Sequence, residues 1–586
     1  MNYNLNDINA GLEKQSTLKA VKRLLQLISA ERRTLWIGLV VILVNSGLLL
    51  LGPLIIGHTV DAYIRTKQFN GVLMSGSMLF GIYIVAMFTG YTQTKLMGGV
   101  GQRMLYTLRN AIFNKLQELP VSFFNENKAG DLISRVNNDT DKLNQFFSQS
   151  LMQFIGAIAT IIGAGIFLLS INTELGLAAL VPAVFIVLFT AVLSPWVKRK
   201  NAKSLKSVGG LSAEIQESLN NFKVIIAFNR RDYFRERFDE ANQENYKMAV
   251  GAGLSNNIFL PVYGLFSGAA QLIVLLFGIY LISVGSFSLG LLVSYIAYTT
   301  SFYNPLRQLA ALWTSFQVAM ASWDRISQIL LLQTNLKEIT APQTEKSEAL
   351  LEFRNVHFAY NDSKEILHNV NLKFEKGKTY ALIGPTGGGK TTTASLISRL
   401  YDATKGTVFL DGKDIRTYSA EERSKKIGFI LQEPFLFSGT VKDNILYGNS
   451  NYKDASDAEL EKVISDAHLG ALLAIFDEGL KTEVNPLSDN ISLGQKQLIA
   501  FMRAVLRNPD LLILDEATAN IDTITEQLLS SILGKLAKET TLVIIAHRLN
   551  TIENADEIYF INDGMAQRAG TFDEALNMLV KEKRAS

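Results

Sequence analysis

The sequence predicts a polytopic α-helical membrane domain of six spans, followed by an α/β domain built around a phosphate-binding loop. Three observations carry that expectation. The chain has 586 residues, too many for one hydrophobic core, which rarely grows past roughly 250–300 residues. Long uncharged apolar runs recur before residue 310 and are absent after it. In the second half, a glycine-rich stretch, Gly384–Thr391, stands between a strand-like and a helix-like segment. Charge divides the chain at the same place. Residues 1–340 hold 29 Lys+Arg against 19 Asp+Glu, a balance of +10; the rest hold 28 against 35, a balance of −7, which together give the net +3.

Composition excludes several classes. With 48% apolar and 19% charged residues, the chain is not disordered, collagenous or coiled coil throughout. With no cysteine, a disulfide scaffold, cysteine-ligated zinc, an iron–sulfur centre and a thiol nucleophile are all excluded. A basic nucleic-acid binder is not indicated.

The first 34 residues carry six Lys/Arg and no apolar core, so they read as a cytoplasmic arm rather than a cleavable signal. The apolar runs follow: Leu35–Gly57, Gly71–Thr92, Ser148–Ser170, Leu175–Trp196, Ile258–Ile282 and Phe287–Tyr303. All but the last exceed the ~18–20 residues a helix needs to cross a bilayer. The last is dotted with Ser, Tyr and Thr. Loop charge sets the orientation. Gln93–Phe147 has seven Lys/Arg and Val197–Asn257 has eleven, whereas His58–Asn70 has two and the other two short connections none. The positive-inside rule places both termini and both long loops in the cytoplasm. Helical periodicity over Arg103–Leu119 and Ala213–Phe238 predicts that membrane helices continue beyond the bilayer. Asn45, Ser46, Gln153 and Gln271 read as helix–helix contacts or a polar cavity lining. No span has a carboxylate or lysine at its middle, which argues against ion-coupled transport.

A polar stretch, 333–347, reads as a linker between a membrane domain (35–332) and a second domain (348–586). There β-branched runs alternate with helical segments, the pattern of an α/β fold. Gly384-Pro385-Thr386-Gly387-Gly388-Gly389-Lys390-Thr391, followed by Thr392, fits G-x-x-x-x-G-K-[ST] in full. Its glycines let backbone N–H groups face phosphates, Lys390 neutralises β/γ charge, and Thr391 places a hydroxyl on Mg²⁺. The apolar run Leu511–Leu514 ends in Asp515-Glu516, with Asp515 125 residues after Lys390. Asp515 suits a metal ion held through water, and Glu516 suits polarisation of an attacking water. Thr541–Ile545 leads to His547, placed for a γ-phosphate or water contact. Ile491-Ser492-Leu493-Gly494-Gln495 precedes a helical segment, as a phosphate-facing N-terminus or an ordinary N-cap. Gln432 follows the strand-like Ile427–Leu431 and is placed to reach the metal.

Together these motifs resemble the ATP-binding cassette (ABC) transporters of the type I exporter class, six spans fused ahead of one nucleotide domain. The resemblance covers nearly the whole chain. It implies that Tyr360 stacks on adenine, Glu516 is the catalytic carboxylate, His547 the switch histidine and Gln432 the Q-loop residue, with ATP and Mg²⁺ as cofactors. It implies that Ala519–Asp522 is the D-loop. Phe123–Asn125, Gly130–Arg135 with Asp139, and Lys223–Phe228 are similar to coupling loops, and Ala321–Ile326 to the entry into the linker. It also implies a dimer in which each ATP lies between one chain's P-loop and the other's signature, L-S-G-G-Q. Here Leu493 replaces the first signature glycine, and Val484–Ser488 lacks the family's V-G-E-x-G pattern. The expectation is a heterodimer with a second half-transporter, with a homodimer as the alternative. The substrate expected is a small amphipathic or drug-like compound leaving through the inner membrane among its lipids. A lipid flippase is the closest rival, and no nucleic-acid partner is expected.

Overall fold

A computed structural model of the chain describes residues 3–5, 31–336, 338–340, 349–360, 364–449, 451–485, 490–515, 523–537, 539–545, 553–570 and 572–585. Two compact units emerge. One is Glu13–Leu116 with Gly130–Leu331; the other takes in Gln117–Ala129, Leu332–Ser586 and the N-terminal residues.

The first unit is helical: α1 (Arg32–Thr59), α2 (Phe69–Glu118), α3 (Leu151–Ile171), α4 (Thr173–Asn220), α5 (Arg231–Asn257), α6 (Phe259–Ser283) and α7 (Leu289–Leu331). At 1.5 Å per residue, the 50 residues of α2 run about 75 Å, more than twice the ~30 Å hydrocarbon core of a bilayer. The expected extension of helices beyond the membrane is therefore present. The stretch Ala213–Phe238, expected to be helical, is helical in three pieces. α4 ends at Asn220, a short helix covers Phe222–Ala227, and Asn229 takes a left-handed φ of 51° before α5 begins. Asparagine tolerates that conformation and interrupts the helical ladder.

Among the described residues, five helical stretches are long and apolar enough to cross a membrane, and they contain the first five expected spans. α7 is long but more polar along Leu289–Tyr303. Its polar groups point into the bundle. Tyr298 Oη donates to Leu50 O at 2.8 Å, Tyr303 Oη to Ala179 O at 2.7 Å, and Ser294 Oγ to Pro53 O at 2.7 Å. Tyr295 Oη donates to Leu168 O and to Asn172 O. Pro53 and Pro182 lie inside α1 and α4. A proline removes the donor for the carbonyl four residues back, and Leu50 and Ala179 are the next carbonyls along. Buried hydroxyls thus reinforce helices where their own ladders are weakest. Two of the expected polar residues make side-chain contacts between helices: Thr89 donates to Asn45 at 2.9 Å and Gln271 to Thr300 at 3.2 Å. Ser46 is buried, whereas Gln153 is exposed.

At the other end of α7, two segments with separate sequence signatures meet. Arg135, 2% exposed, donates to Asp131 at 2.8 Å, to the Arg325 carbonyl at 2.6 Å and to Gln328 at 2.8 Å. Arg325 donates to Asp131 at 2.5 Å and lies 3.3 Å from Asp139, an ion pair without hydrogen-bond alignment. Ser322 also donates to Asp139, at 3.1 Å. Buried charge is tolerated here because each ion has an opposite partner and further polar contacts.

The second unit holds two main sheets. An antiparallel sheet runs β2-β1-β4-β5, from β1 (Ala349–Phe358), β2 (Leu367–Glu375), β4 (Lys405–Leu410) and β5 (Lys413–Asp414). A six-stranded sheet runs β12-β11-β3-β10-β9-β6. Its strands are β3 (Thr379–Ile383), β6 (Ile427–Ile430), β9 (Leu511–Asp515), β10 (Thr541–Ile545), β11 (Glu557–Asn562) and β12 (Met565–Gly570). All are parallel except the edge strand β12. β3, β9 and β10 are buried at every residue, which is why they read as unbroken apolar runs. The short β7 (Gly439–Thr440) pairs with β8 (Glu483–Val484).

Residues 3–5 join this unit. Tyr3, fully buried, donates its hydroxyl to Gln333 O at 3.0 Å and accepts from the Asn335 N–H at 2.9 Å. Its own N–H donates to Glu126 at 2.8 Å. The short helix Val121–Glu126 is thereby tied to the chain's first residues and to the segment after α7.

In the helical unit, a Cβ built on Gly57 would lie 1.9 Å from Ser294 Oγ and 2.5 Å from Gly290 O, whereas nothing lies within 4 Å of one on Gly47. Gly57→Val should destabilise the purified protein by about 2 kcal/mol or more and lower its melting temperature in detergent. Gly47→Val should leave melting unchanged. Equal melting of the two variants would contradict the close α1–α7 approach.

Candidate nucleotide site

The parallel sheet delivers its loops to one edge. Asp515 ends β9 in register with Ile545 of β10, and Ile545 is in register with Leu382 of β3, two residues before Gly384. β6 adds its own end: Ile430 pairs with Leu514, and Gln432 follows two residues later, exposed. The sheet thus brings the glycine loop, Asp515 and Gln432 together at its C-terminal edge, where ligands bind in open α/β sheets.

The loop is a main-chain construction. Gly384, Gly387 and Gly389 take φ of 142°, 83° and 112°, conformations that side chains resist. The Gly388 N–H donates to Pro385 O at 3.1 Å, and the Gly564 N–H, from the turn between β11 and β12, donates to Gly388 O at 3.1 Å. Built Cβ atoms on Gly384 and Gly388 would lie 1.9 and 2.6 Å from Ile561 O, and one on Gly389 2.6 Å from Leu367. The helix α8 (Lys390–Ile397) begins at once, aiming its first unpaired N–H groups and its positive dipole end outward. Lys390 Nζ folds over the loop to Gly384 O and Pro385 O, at 2.9 and 2.8 Å. Thr386 and Thr391 are exposed at the loop and at the helix start. A triphosphate needs a small concave rim of donors, a mobile cation and a hydroxyl next to a carboxylate. These residues fit it, and a side chain in place of any of the three clamped glycines would collide with Ile561 or Leu367 and displace the loop.

Beside the loop, Tyr360 Oη lies 3.1 Å from Thr392 Oγ1. Tyr360 is 46% exposed, so its ring is open to a flat partner. It meets Tyr401 edge to face at 5.1 Å and Phe358 at 4.8 Å. Asn125 donates to the Tyr401 hydroxyl at 2.8 Å. Burial holds that phenol above its usual range, and the Asn125 contact pulls the other way. Sequence reasoning missed Tyr401, because a single aromatic after α8 belongs to no phosphate motif. It also missed Ile561 and Gly564, which act through backbone atoms and leave no side-chain signal.

Ser492 caps α9 (Leu493–Val505), its hydroxyl accepting from the Gln495 N–H at 3.1 Å while Gln495 accepts from the Ser492 N–H at 2.9 Å. The ordinary capping box is therefore present, and Gly494 lies in the first turn. Leu493 is the first residue of the helix and 46% exposed. Glu516, His547 and Ala519–Asp522 lie outside the described residues, as does most of Val484–Ser488.

The profile of the ABC transporter transmembrane region matches residues 35–306, and the profile described as ABC transporter matches residues 367–519. Across 568 residues the chain is 32% identical to the uncharacterised ABC transporter ATP-binding protein YknV of Bacillus subtilis, covering 96% of this chain and 94% of the relative. It is 31% identical to a fatty acid ABC transporter ATP-binding/permease protein of Mycobacterium tuberculosis, covering 87% and 80%. It is 29% identical to YgaD of Bacillus subtilis, a putative multidrug export ATP-binding/permease protein, covering 95% and 97%.

The glycine geometry separates two otherwise similar substitutions. Gly384→Ala should abolish measurable nucleotide binding, because its Cβ would overlap Ile561 O. Gly387→Ala, with open space around it, should weaken binding about five-fold to thirty-fold, from ~1–2 kcal/mol of left-handed strain. Titration with a fluorescent ATP analogue reads both, and equal losses would contradict the cradle.

Proposed function

The chain belongs to the ABC transporter family, and we propose that it serves as one half of a heterodimeric exporter that expels amphipathic, drug-like compounds across the cytoplasmic membrane. It couples ATP hydrolysis to transport. In this reading residues 35–332 form a six-span membrane domain with both termini cytoplasmic, and 348–586 form the nucleotide-binding domain. The polar α7 counts as the sixth span because its hydroxyls are satisfied inside the bundle. Drug-like cargo is favoured by the similarity to the putative multidrug exporter of Bacillus subtilis.

The observation that carries the heterodimer is Leu493. The P-loop half is complete, with Lys390 and the clamped glycines in place. The signature half carries an exposed isobutyl group on the first residue of α9, where a partner's phosphate would need bare backbone. Two copies of this chain would combine a sound P-loop with an obstructed signature in both sites. A different partner with an unobstructed signature would make one site competent. A homodimeric lipid flippase is the second reading, favoured by similarity to the fatty acid transporter of Mycobacterium tuberculosis.

The division of labour follows from position and chemistry. Lys390 and the loop N–H groups bind β- and γ-phosphates, and Tyr360 stacks on the base. Thr391, Asp515 and Gln432 would hold Mg²⁺, which neutralises phosphate charge when bound. Glu516, next after the end of β9, would orient water as a general base, and His547, two residues after β10, would hydrogen-bond the γ-phosphate. ATP binding favours one arrangement of the dimer and hydrolysis releases it, a shift set by differential affinity.

Glu516→Gln in the assembled transporter should lower kcat by about 10²–10⁴-fold while leaving ATP affinity unchanged, read by phosphate release and equilibrium binding. This chain purified alone should show no substrate-stimulated ATPase activity. Robust stimulation would favour the homodimer.

A further inference from the structure

The basic residues of the cytoplasmic loops are not equivalent. Several are committed to acids: Arg103 to Glu31, Arg109 to Asp141, Arg135 to Asp131, Arg237 to Glu214 and Glu217, and Arg325 to Asp131. On α4, immediately after the fourth apolar run, Lys198, Arg199, Lys200, Lys203 and Lys206 fall within nine residues. Among the described residues none of these five has an ion-pair partner, and all five are exposed. The acids of the neighbouring helix α5, Asp232 to Glu244, lie farther along it, and among the described residues none of them pairs with this cluster. Asn201 and Asn256 exchange hydrogen bonds at 2.9 and 3.0 Å, and Ser207 donates to Asn245 at 3.3 Å. The stretch of α5 alongside, Met248–Asn257, carries no charged residue.

Position gives the cluster a meaning. Trp196 ends the apolar run, 38% exposed, with Lys200 Nζ 6.0 Å from its ring centroid. Tryptophan marks the membrane–water interface. At 1.5 Å per residue, Lys198 to Lys200 lie about 3–6 Å beyond it along α4, within the headgroup layer, and Lys206 lies about 15 Å beyond. Lys203 falls within roughly one Debye length of the surface. Positive charge at this depth also orients a span during insertion, but insertion does not require five cations left without acids in the folded chain.

We infer that Lys198, Arg199, Lys200, Lys203 and Lys206 form a binding site for anionic phospholipid headgroups of the adjacent leaflet. Each basic residue near an anionic surface favours association about five-fold; at 3.6 residues per turn Arg199, Lys203 and Lys206 share a face of α4 and Lys198 and Lys200 flank it. The inference rests on the membrane reading of α4 but not on cargo, ATPase activity or the partner chain.

The test uses the full-length chain in nanodiscs of phosphatidylcholine with a minor fraction of phosphatidylglycerol. Lipids retained on the protein are counted by native mass spectrometry after detergent release. The wild type should retain phosphatidylglycerol over phosphatidylcholine at least five-fold above its share. The variant Lys198→Gln/Lys200→Gln/Lys203→Gln/Lys206→Gln should fall to less than two-fold, and the same four positions as Arg should keep the preference. Arg230→Gln/Arg231→Gln/Arg235→Gln, farther from the apolar run, should behave as wild type. Unchanged preference in the Gln variant, or equal loss in the distant variant, would overturn the site. A wild type that retains the two lipids in proportion to their shares would likewise overturn the site, whereas a chain that does not enter nanodiscs at all would overturn the membrane reading of α4.

Discussion

The chemistry of this chain depends on a backbone that cannot carry side chains. Ile561 O and Leu367 press against the glycine loop so closely that Cβ atoms at Gly384, Gly388 and Gly389 have no room. Gly384 and Gly389 take left-handed conformations under that close approach, and the loop's backbone is left bare of side-chain atoms. The parallel sheet supplies the rest by geometry alone. Once β3, β10 and β9 pair in register, Gly384 and Asp515 emerge at the same edge of the sheet, with β10 between them. The strongest constraint is therefore not a charge pair but the absence of space.

The helical unit solves the opposite problem. Its surroundings offer no water to satisfy backbone groups, so hydroxyls inside the bundle bond to carbonyls next to those that prolines leave without donors. The same demand explains the polarity of α7, which would be a fault on a lipid-facing helix. At the end of the bundle, charges are paired around Arg135 and Arg325, while among the described residues Lys198–Lys206 make no ion pair. The +10 balance of residues 1–340 is thus a mixture of internal ion pairs and charge presented outward.

Much of this was legible in the sequence, for physical reasons. Apolar run length reports span location directly, and Lys390, Thr391, Asp515 and Gln432 belong to motifs whose spacing is dictated by the sheet. The boundaries of β9 and β10 follow from unbroken burial. What was not legible acts through the main chain or through distant contacts. Ile561 and Gly564 clamp the P-loop with backbone atoms, and Tyr401 matters only because Phe358, Tyr360 and Asn125 surround it in space. The break at Asn220–Asn229 was hidden because amphipathic periodicity continues across it. Tyr3 gave no hint of burial because its partners lie more than 120 positions away.

The central claim is an asymmetry within one chain: a sound P-loop and a signature helix opened by leucine. The chain's lack of cysteine makes a direct measurement available. Thr386→Cys would mark the P-loop and Asn490→Cys the approach to α9, on two differently tagged copies of this chain. A short thiol-reactive cross-linker added with ATP then reports whether two copies close over nucleotide. The account predicts no ATP-dependent increase in cross-linked pairs of this chain with itself. Abundant ATP-dependent self-cross-linking would contradict it.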